Sequence, residues 1–155
     1  MPGTAGVSIR LTADGLVLLP GLFAQAGIAE EVLFRGFLFG HLRAGRSFWG
    51  AARLAMLPFV AVHLFLFLTM PWPIASAAVL LAVILSFPFA HLYEIGGSTI
   101  WAPALLHFVI QGTIKVVIVE GDGSGAFPLF WMVASGLLPL LVLLRQRNFV
   151  PGSER

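Results

Sequence analysis

Long apolar runs alternate with short polar segments along this chain of 155 residues. A helix needs about 20 predominantly apolar residues to cross the hydrocarbon core of a bilayer. The segments between the runs carry glycine, proline, serine and charged residues, which are typical of turns. The pattern therefore predicts an all-α fold, a polytopic transmembrane helix bundle with about five spans. They are expected at Gly15–Gly40, Arg53–Met70, Pro73–Tyr93, Ile100–Val119 and Ala126–Leu144.

The composition is that of a membrane protein. Hydrophobic residues make up 59% of the chain and charged residues only 10%, against about 25% charged residues in a soluble domain. The small net charge of +2, with its basic residues scattered, argues against nucleic acid as a partner. We expect three parts: a short N-terminal segment (1–14), a single transmembrane domain (15–145) and a cytoplasmic tail (146–155).

The distribution of arginine predicts the orientation, because cytoplasmic loops of membrane proteins are enriched in basic residues. We therefore expect the first loop and the C-terminus in the cytoplasm and the N-terminus outside, with the plasma membrane of a prokaryote as the location. The first loop and the tail hold Arg43, Arg46, Arg53, Arg145 and Arg147, whereas the loop after the fourth span holds Glu120 and Asp122.

Three charged residues interrupt the first apolar run. Glu30 and Glu31 are adjacent, and Arg35 follows Glu31 by four residues. Each charge at the centre of a membrane helix costs about 2.5–3.5 kcal/mol on insertion scales, so such residues mark functional sites. The i,i+4 spacing predicts an internal Glu31–Arg35 ion pair. Glu30 points about 100° away and is left without that partner.

Other polar residues are predicted at the same depth on neighbouring helices. His63, His107 and Gln111 all lie near the middle of their spans, and His107 and Gln111 share one helical face. A carboxyl group beside an imidazole suits general acid–base catalysis, and His63 is the candidate neighbour of Glu30. Lys115 is expected to extend towards the membrane surface.

Three short motifs contain these residues. Glu30-Glu-Val-Leu-Phe-Arg35 fits EExxxR, and Phe59-Val-Ala-Val-His63 fits FxxxH. His107-Phe-Val-Ile-Gln111 nearly fits HxxxN or HxxxD. In this order the motifs resemble those of the CAAX protease and bacteriocin-processing family, which comprises intramembrane glutamic endopeptidases related to the type II CAAX prenyl proteases.

The resemblance implies an intramembrane endopeptidase without a cofactor. Glu30 and His63 would activate a water molecule, and His107 with Gln111 would stabilise the oxyanion. Gln111 stands where the family has Asn or Asp, so its amide is placed differently. The implied partners are the lipid bilayer and a peptide or protein substrate, with lipid-modified and membrane-embedded substrates among the options. The supporting residues would be Glu31, Arg35 and Phe59.

Other interpretations stay open on the residues alone. Glu30, His63 and His107 form the His₂Glu set of many catalytic zinc sites, so a zinc-dependent membrane protease is one alternative. A second is a non-catalytic membrane scaffold or bacteriocin self-immunity protein of the same fold. A third is a proton-coupled transporter, because Glu and His also form proton relays. For the leading interpretation we expect cleavage near the cytoplasmic leaflet, at the arginine-rich side.

Overall fold

Five helices succeed one another in the computed structural model, which describes residues 7–122 and 124–145. The predicted cytoplasmic tail, 146–155, and the first six residues of the predicted N-terminal segment lie outside the described residues. Within the described part the chain forms a helical bundle, as predicted, together with one short pair of strands. The bundle is the frame that carries the charged residues of the first helix.

The first helix, residues 15–43, changes its hydrogen-bonding pattern along its length. It begins as an α-helix, Gly15–Leu22, and ends as one, Gly40–Arg43. Between them lie two π-helical stretches, Phe23–Ala29 and Val32–Phe39. Glu30 and Glu31 connect the two stretches, and the Glu30 N–H donates to the Gln25 carbonyl five residues earlier. Such π-helical turns are rare in proteins and often occur at functional sites.

The four remaining helices are shorter or comparable in length. The second is α-helical over Phe48–His63 and continues as a 3₁₀-helix over Leu64–Leu68. The third is Trp72–Ile95 and the fourth is Trp101–Val116. The fifth comprises a 3₁₀ turn, Ser124–Ala126, an α-helix, Phe127–Leu137, and a second 3₁₀ stretch, Leu138–Leu144.

Four of these helices are long and apolar enough to span a bilayer, among the residues that the structure describes. They are the first, second, third and fifth. The fourth has 16 residues, which gives a length of about 24 Å at 1.5 Å per residue, less than the roughly 30 Å of hydrocarbon. It is packed against the first and third helices. The arrangement is consistent with the predicted bundle of about five spans.

A two-stranded antiparallel ribbon closes one end of the bundle. Strand β1, Ser8–Leu11, pairs with strand β2, Val117–Glu120. The sequence analysis did not predict this ribbon, and it extended the fourth span to Val119, three residues beyond its helical end. The pairing places the start of the first helix and the end of the fourth helix together, at what we call the ribbon end.

The opposite end carries Arg43, Arg46 and Arg53 and is called the arginine end. An ion pair between Arg43 and Glu94 joins the first and third helices there. Nearby, Phe39, Phe48 and several alanines of the second and third helices form a buried apolar cluster. This cluster fixes the first helix against its neighbours on the arginine side of the two glutamates.

The first and fourth helices approach closely at Gly27. A Cβ atom at that position would lie 3.2 Å from the Ala104 carbonyl oxygen, which is tighter than an ordinary contact. Small residues at such a crossing let membrane helices pack backbone to backbone. Glu31 and His107 each lie about one turn from this crossing, on its two sides.

Candidate active site

Glu31 is the centre of a buried polar cluster. Its Oε1 atom accepts a hydrogen bond from Arg35 Nη1 at 3.0 Å and another from His107 Nδ1 at 2.8 Å. Glu31 is fully buried, with 0% of its surface exposed, and Arg35 is 3% exposed. The predicted Glu31–Arg35 pair is therefore confirmed. The bond to His107, which joins the first and fourth helices, was not predicted.

Two aromatic rings enclose the Arg35 guanidinium. Its Cζ atom lies 4.2 Å from the ring centre of Phe59 and 4.9 Å from that of Phe89. Cation–π contacts of this kind offset part of the cost of removing an arginine from water. Phe59 thus contacts the site, as its motif position suggested. Phe89 belongs to no motif, and nothing in the sequence distinguished it from the other phenylalanines.

Glu30 lies on the other side of the same imidazole. Its Oε2 atom is 3.9 Å from His107 Nε2, a separation too long for a direct hydrogen bond. Oε2 is buried and has no hydrogen-bond partner among the described residues. Polar groups at such a separation are commonly linked by water. The imidazole beside Glu30 is therefore that of His107, whereas the sequence analysis favoured His63.

His63 is oriented by its own helix. Its Nδ1 atom lies 2.7 Å from the Phe59 carbonyl oxygen. Since a carbonyl oxygen only accepts, Nδ1 carries the proton, and in the neutral ring Nε2 is an acceptor. The same logic applies to His107, whose Nδ1 donates to the Glu31 carboxylate. Both rings thus have their Nδ1 atoms bound to fixed acceptors.

A cavity of about 940 Å³ unites the predicted residues. Its lining includes Glu30, His63, His107 and Gln111, together with the supporting residue Phe59. The structure therefore brings the four predicted catalytic residues from three helices to one cavity wall. Glu31 and Arg35 are not part of this lining and lie behind it, in contact with His107 and Phe59. The volume falls in the range of small-molecule and peptide sites.

The cavity extends away from the arginines. Met70, Pro73, Lys115, Gly125 and Pro128 line its far part, and all of them lie at the ribbon end. Within the described part of the chain, none of its lining residues lies at the arginine end. The cavity therefore extends from the predicted catalytic residues towards the loops that follow the second and fourth helices, and the position of cleavage relative to the two leaflets stays a prediction.

Three polar lining residues were missed or were not given a role at the site. Lys115 stands eight residues after His107, so the helical period could have placed it on the same face. Gln25 precedes Glu30 by five residues and shares its face only because that segment is π-helical. Ser135, on the fifth helix, is 6% exposed and carried no distinguishing signal.

The donor set does not support the zinc alternative. Among residues 7–122 and 124–145, no three His, Cys, Asp or Glu side chains are close enough together to hold a metal ion. Glu30 and His107 approach each other, but His63 forms no ion pair with Glu30 in this part of the chain, and its Nδ1 is bound to a carbonyl. The His₂Glu set of the sequence analysis is therefore not assembled.

Comparison with known proteins supplies the family. A family model described as type II CAAX prenyl endopeptidase Rce1-like matches residues 12–113, which span all three motifs. Searches of curated proteins and of solved structures found no match. The matched region covers well over half of the chain, and it includes both glutamates, His63, His107 and Phe89. The chain belongs to the Rce1-like type II CAAX prenyl endopeptidase family.

Proposed function

We propose that this protein is an intramembrane endopeptidase in which Glu30 activates a water molecule. The observation that supports this proposal most directly is the pair formed by Glu30 Oε2 and His107 Nε2. These atoms are 3.9 Å apart at the wall of a large cavity. The family supports a CAAX protease-type function, and the pair supplies chemistry suited to it. Water is the nucleophile because the chain has no cysteine and because Ser135, on the fifth helix, has no hydrogen bond to a base among the described residues.

In this proposal His107 acts as an imidazolium, which carries a hydrogen on each ring nitrogen. With an imidazolium, the two carboxylates of Glu30 and Glu31 are balanced by Arg35 and His107, so the cluster carries no net charge in the membrane. Uncompensated charge in such surroundings costs several kcal/mol per ion. The protonated ring keeps its bond to Glu31 through Nδ1 and directs an Nε2–H donor into the cavity.

Peptide hydrolysis then proceeds in two steps. Glu30 removes a proton from water, whose oxygen attacks the carbonyl carbon, while His63 Nε2 orients that water by accepting its second O–H. The negative charge on the carbonyl oxygen is stabilised by the His107 Nε2–H donor. Glu30 next returns its proton to the amide nitrogen, the C–N bond breaks, and a carboxylic acid and an amine are released.

Gln111 supplies the second oxyanion donor in this proposal. It lies one turn beyond His107 and lines the same cavity. In the described part of the chain no hydrogen bond holds its side-chain amide, so the amide N–H is available to the carbonyl oxygen. The longer side chain, compared with the Asn or Asp of the family, moves this donor by about one methylene length along the cavity.

The proposed substrate is a peptide segment that enters the cavity from the membrane or its surface. We also place the protein in the plasma membrane of a prokaryote, with the arginine end and the C-terminus in the cytoplasm, because the arginines gather there. Lipid-modified peptides remain candidates, since the far part of the cavity is lined largely by apolar side chains such as Met70, Ile74 and Leu81.

The decisive variant is Glu30→Gln. It preserves the shape of the side chain and breaks no hydrogen bond recorded for the described residues, so the fold should persist. We expect cleavage of a peptide library in detergent to fall at least about a hundredfold, the usual contribution of a general base. Glu120→Gln, at an exposed glutamate outside the cavity, is the matched control and should retain full activity.

The same experiment separates the proposal from the scaffold or self-immunity alternative. A cellular phenotype that survives Glu30→Gln with normal protein levels would contradict proteolysis and favour a binding function. His63→Ala tests the water-orienting role and should lower kcat with a smaller effect on KM. Unchanged kcat in that variant would remove His63 from the mechanism.

A further inference from the structure

We propose that Lys115 binds a carboxylate group of the peptide substrate and so determines which bond reaches Glu30. This inference rests on the proposed function and deepens it by naming a feature of the substrate. Lys115 lies in the last turn of the fourth helix and lines the same cavity as Glu30, His63 and His107. Neither the motifs nor the family match at residues 12–113 includes it.

The fourth helix arranges its polar residues in one line. His107, Gln111 and Lys115 are spaced by four residues each, so they follow one helical face, and all three line the cavity. At 1.5 Å per residue, Lys115 is displaced from His107 by about 12 Å along the helix axis. The line therefore leads from the proposed reaction centre to the ribbon end of the cavity.

The charge of Lys115 stands out in this lining. Among the described lining residues, Glu30 and Lys115 are the only Asp, Glu, Lys or Arg side chains, and most of the others are apolar. Within residues 7–122 and 124–145, Lys115 takes part in no recorded ion pair or hydrogen bond. Lys115 is exposed at the end of its helix, so its ammonium group is accessible to an anion that enters the cavity, and a carboxylate is its ordinary peptide partner.

The displacement of Lys115 from His107 along the fourth helix limits where that carboxylate lies in the substrate. An extended peptide advances about 3.3 Å per residue, so 12 Å corresponds to three or four residues. A carboxylate at that distance from the scissile bond reaches Lys115 while the bond lies beside Glu30. A free C-terminus and an Asp or Glu side chain offer the same chemistry, and the experiment below distinguishes them.

Lys115 also has an ordinary structural role available to it. A cation in the last turn of a helix interacts favourably with the helix dipole, and a lysine near a helix end extends towards the membrane surface. Both roles are independent of the substrate. They predict that changes at Lys115 alter stability or insertion and leave any preference among peptides untouched.

The test measures peptide binding in the Glu30→Gln background, which does not require catalysis. The probes are N-terminally fluorescein-labelled apolar octapeptides in detergent micelles, read by fluorescence anisotropy. One series ends in a free carboxylate and its partner series in a carboxamide, and two further carboxamide series carry Asp or Asn at one internal position. The variants are Lys115→Gln and Lys115→Arg, with Arg10→Gln as a control cation outside the cavity.

We expect the carboxylate peptides to bind about tenfold more tightly than their neutral partners, the size of one charge-assisted hydrogen bond. Lys115→Gln should abolish that preference, whereas Lys115→Arg and Arg10→Gln should keep it. A preference in the C-terminal series alone identifies a free C-terminus as the ligand, and a preference in the Asp series alone identifies an acidic side chain.

Three outcomes would overturn the proposal: equal affinities for both members of each pair, no binding at all, or a preference that survives Lys115→Gln. Since Glu30 is already replaced, a Lys115-dependent preference would stand even if the wild-type protein cleaved no peptide.

Discussion

At the scale of single residues, one buried carboxylate organises the site. Glu31 Oε1 accepts from both Arg35 and His107, so it holds an ion pair within the first helix and an imidazole from the fourth. Glu31 therefore acts on catalysis through His107 and is a positioning residue in the proposed mechanism. Glu30, its neighbour in sequence, lines the cavity instead, which is why the proposed mechanism assigns the proton transfer to it.

Replacing Arg35 should show how much the buried Glu31–Arg35 pair contributes to the stability of the bundle. Arg35→Leu leaves the Glu31 carboxylate with only His107 as a cationic partner, and breaking a buried pair in this way costs about 3–5 kcal/mol in unfolding free energy. Denaturation in detergent micelles, followed by circular dichroism, measures the change. Adding Glu31→Gln to Arg35→Leu removes the unpaired charge and should restore part of the loss.

The matched control for this prediction is Arg53→Leu. Arg53 is exposed at the arginine end and donates only to the Trp49 carbonyl within its own helix, so the variant should shift the unfolding free energy by less than about 0.5 kcal/mol. Equal effects of the changes at Arg35 and Arg53 would show that the buried pair does not stabilise the bundle.

The same residues show which contacts of the site could be predicted from the sequence and which could not. Glu31 and Arg35 are four residues apart, so helical geometry alone predicted their pair. The Glu31–His107 hydrogen bond joins residues 76 positions apart in the sequence. It depends on the close helix crossing at Gly27, which no local sequence pattern predicts. Periodicity placed His63 and His107 at a common depth, but only packing decides which imidazole adjoins Glu30.

At the scale of elements, the periodicity of apolar residues predicted neither the π-helical stretches nor the ribbon. An apolar run of membrane length is compatible with either α or π hydrogen bonding. The sequence therefore does not reveal that the Glu30 N–H donates to the carbonyl five residues earlier. The ribbon pairs four residues near the N-terminus with four that follow the fourth helix. Strands this short, and so far apart, carry too little alternation to be recognised separately.

The ribbon contains a charge pair whose titration is predictable. Arg10 Nε donates to Glu120 Oε1 at 3.0 Å, and this hydrogen bond, together with the guanidinium charge, lowers the pKa of Glu120 below its usual range. A lowered pKa in the folded state means that the pair stabilises the ribbon above the ordinary glutamate pKa of about 4.3. That contribution is lost as the pH falls through the lowered value.

Carboxyl NMR titration of the protein in micelles tests this shift. The Glu120 midpoint should lie below that of an ordinary glutamate, and Arg10→Gln should return it to the ordinary value. Because both side chains are exposed, added salt should weaken the shift by screening. Identical Glu120 midpoints in the wild type and in Arg10→Gln would show that the pair does not form in solution.

At the scale of the whole molecule, the bundle has one polar interior and two different ends. The buried cluster lies between helices that the family match reaches, and the last turn of the fourth helix and the fifth helix, both outside the match, add part of the cavity wall. The hydrophobic pattern predicted the number and order of the helices well, because bilayer thickness constrains span length strongly. It could not predict the direction in which the cavity extends, because that depends on how the helices pack against one another along their length.

Orientation in the membrane then decides which side of the cell supplies the substrate. If the arginine end is cytoplasmic, the cavity extends towards the opposite side, where Lys115 and the ribbon lie.

The chain has no cysteine, so single cysteines placed at Ala44, in the arginine-end loop, and at Asp122, in the ribbon-end loop, report the two exposed ends without background. In intact cells a membrane-impermeant maleimide should modify Asp122→Cys directly and Ala44→Cys only after permeabilisation. Both cysteines should react in detergent, which controls for local burial. The reverse pattern would place the arginines outside against the positive-inside tendency, and it would direct the cavity, with its proposed carboxylate site, to the cytoplasm.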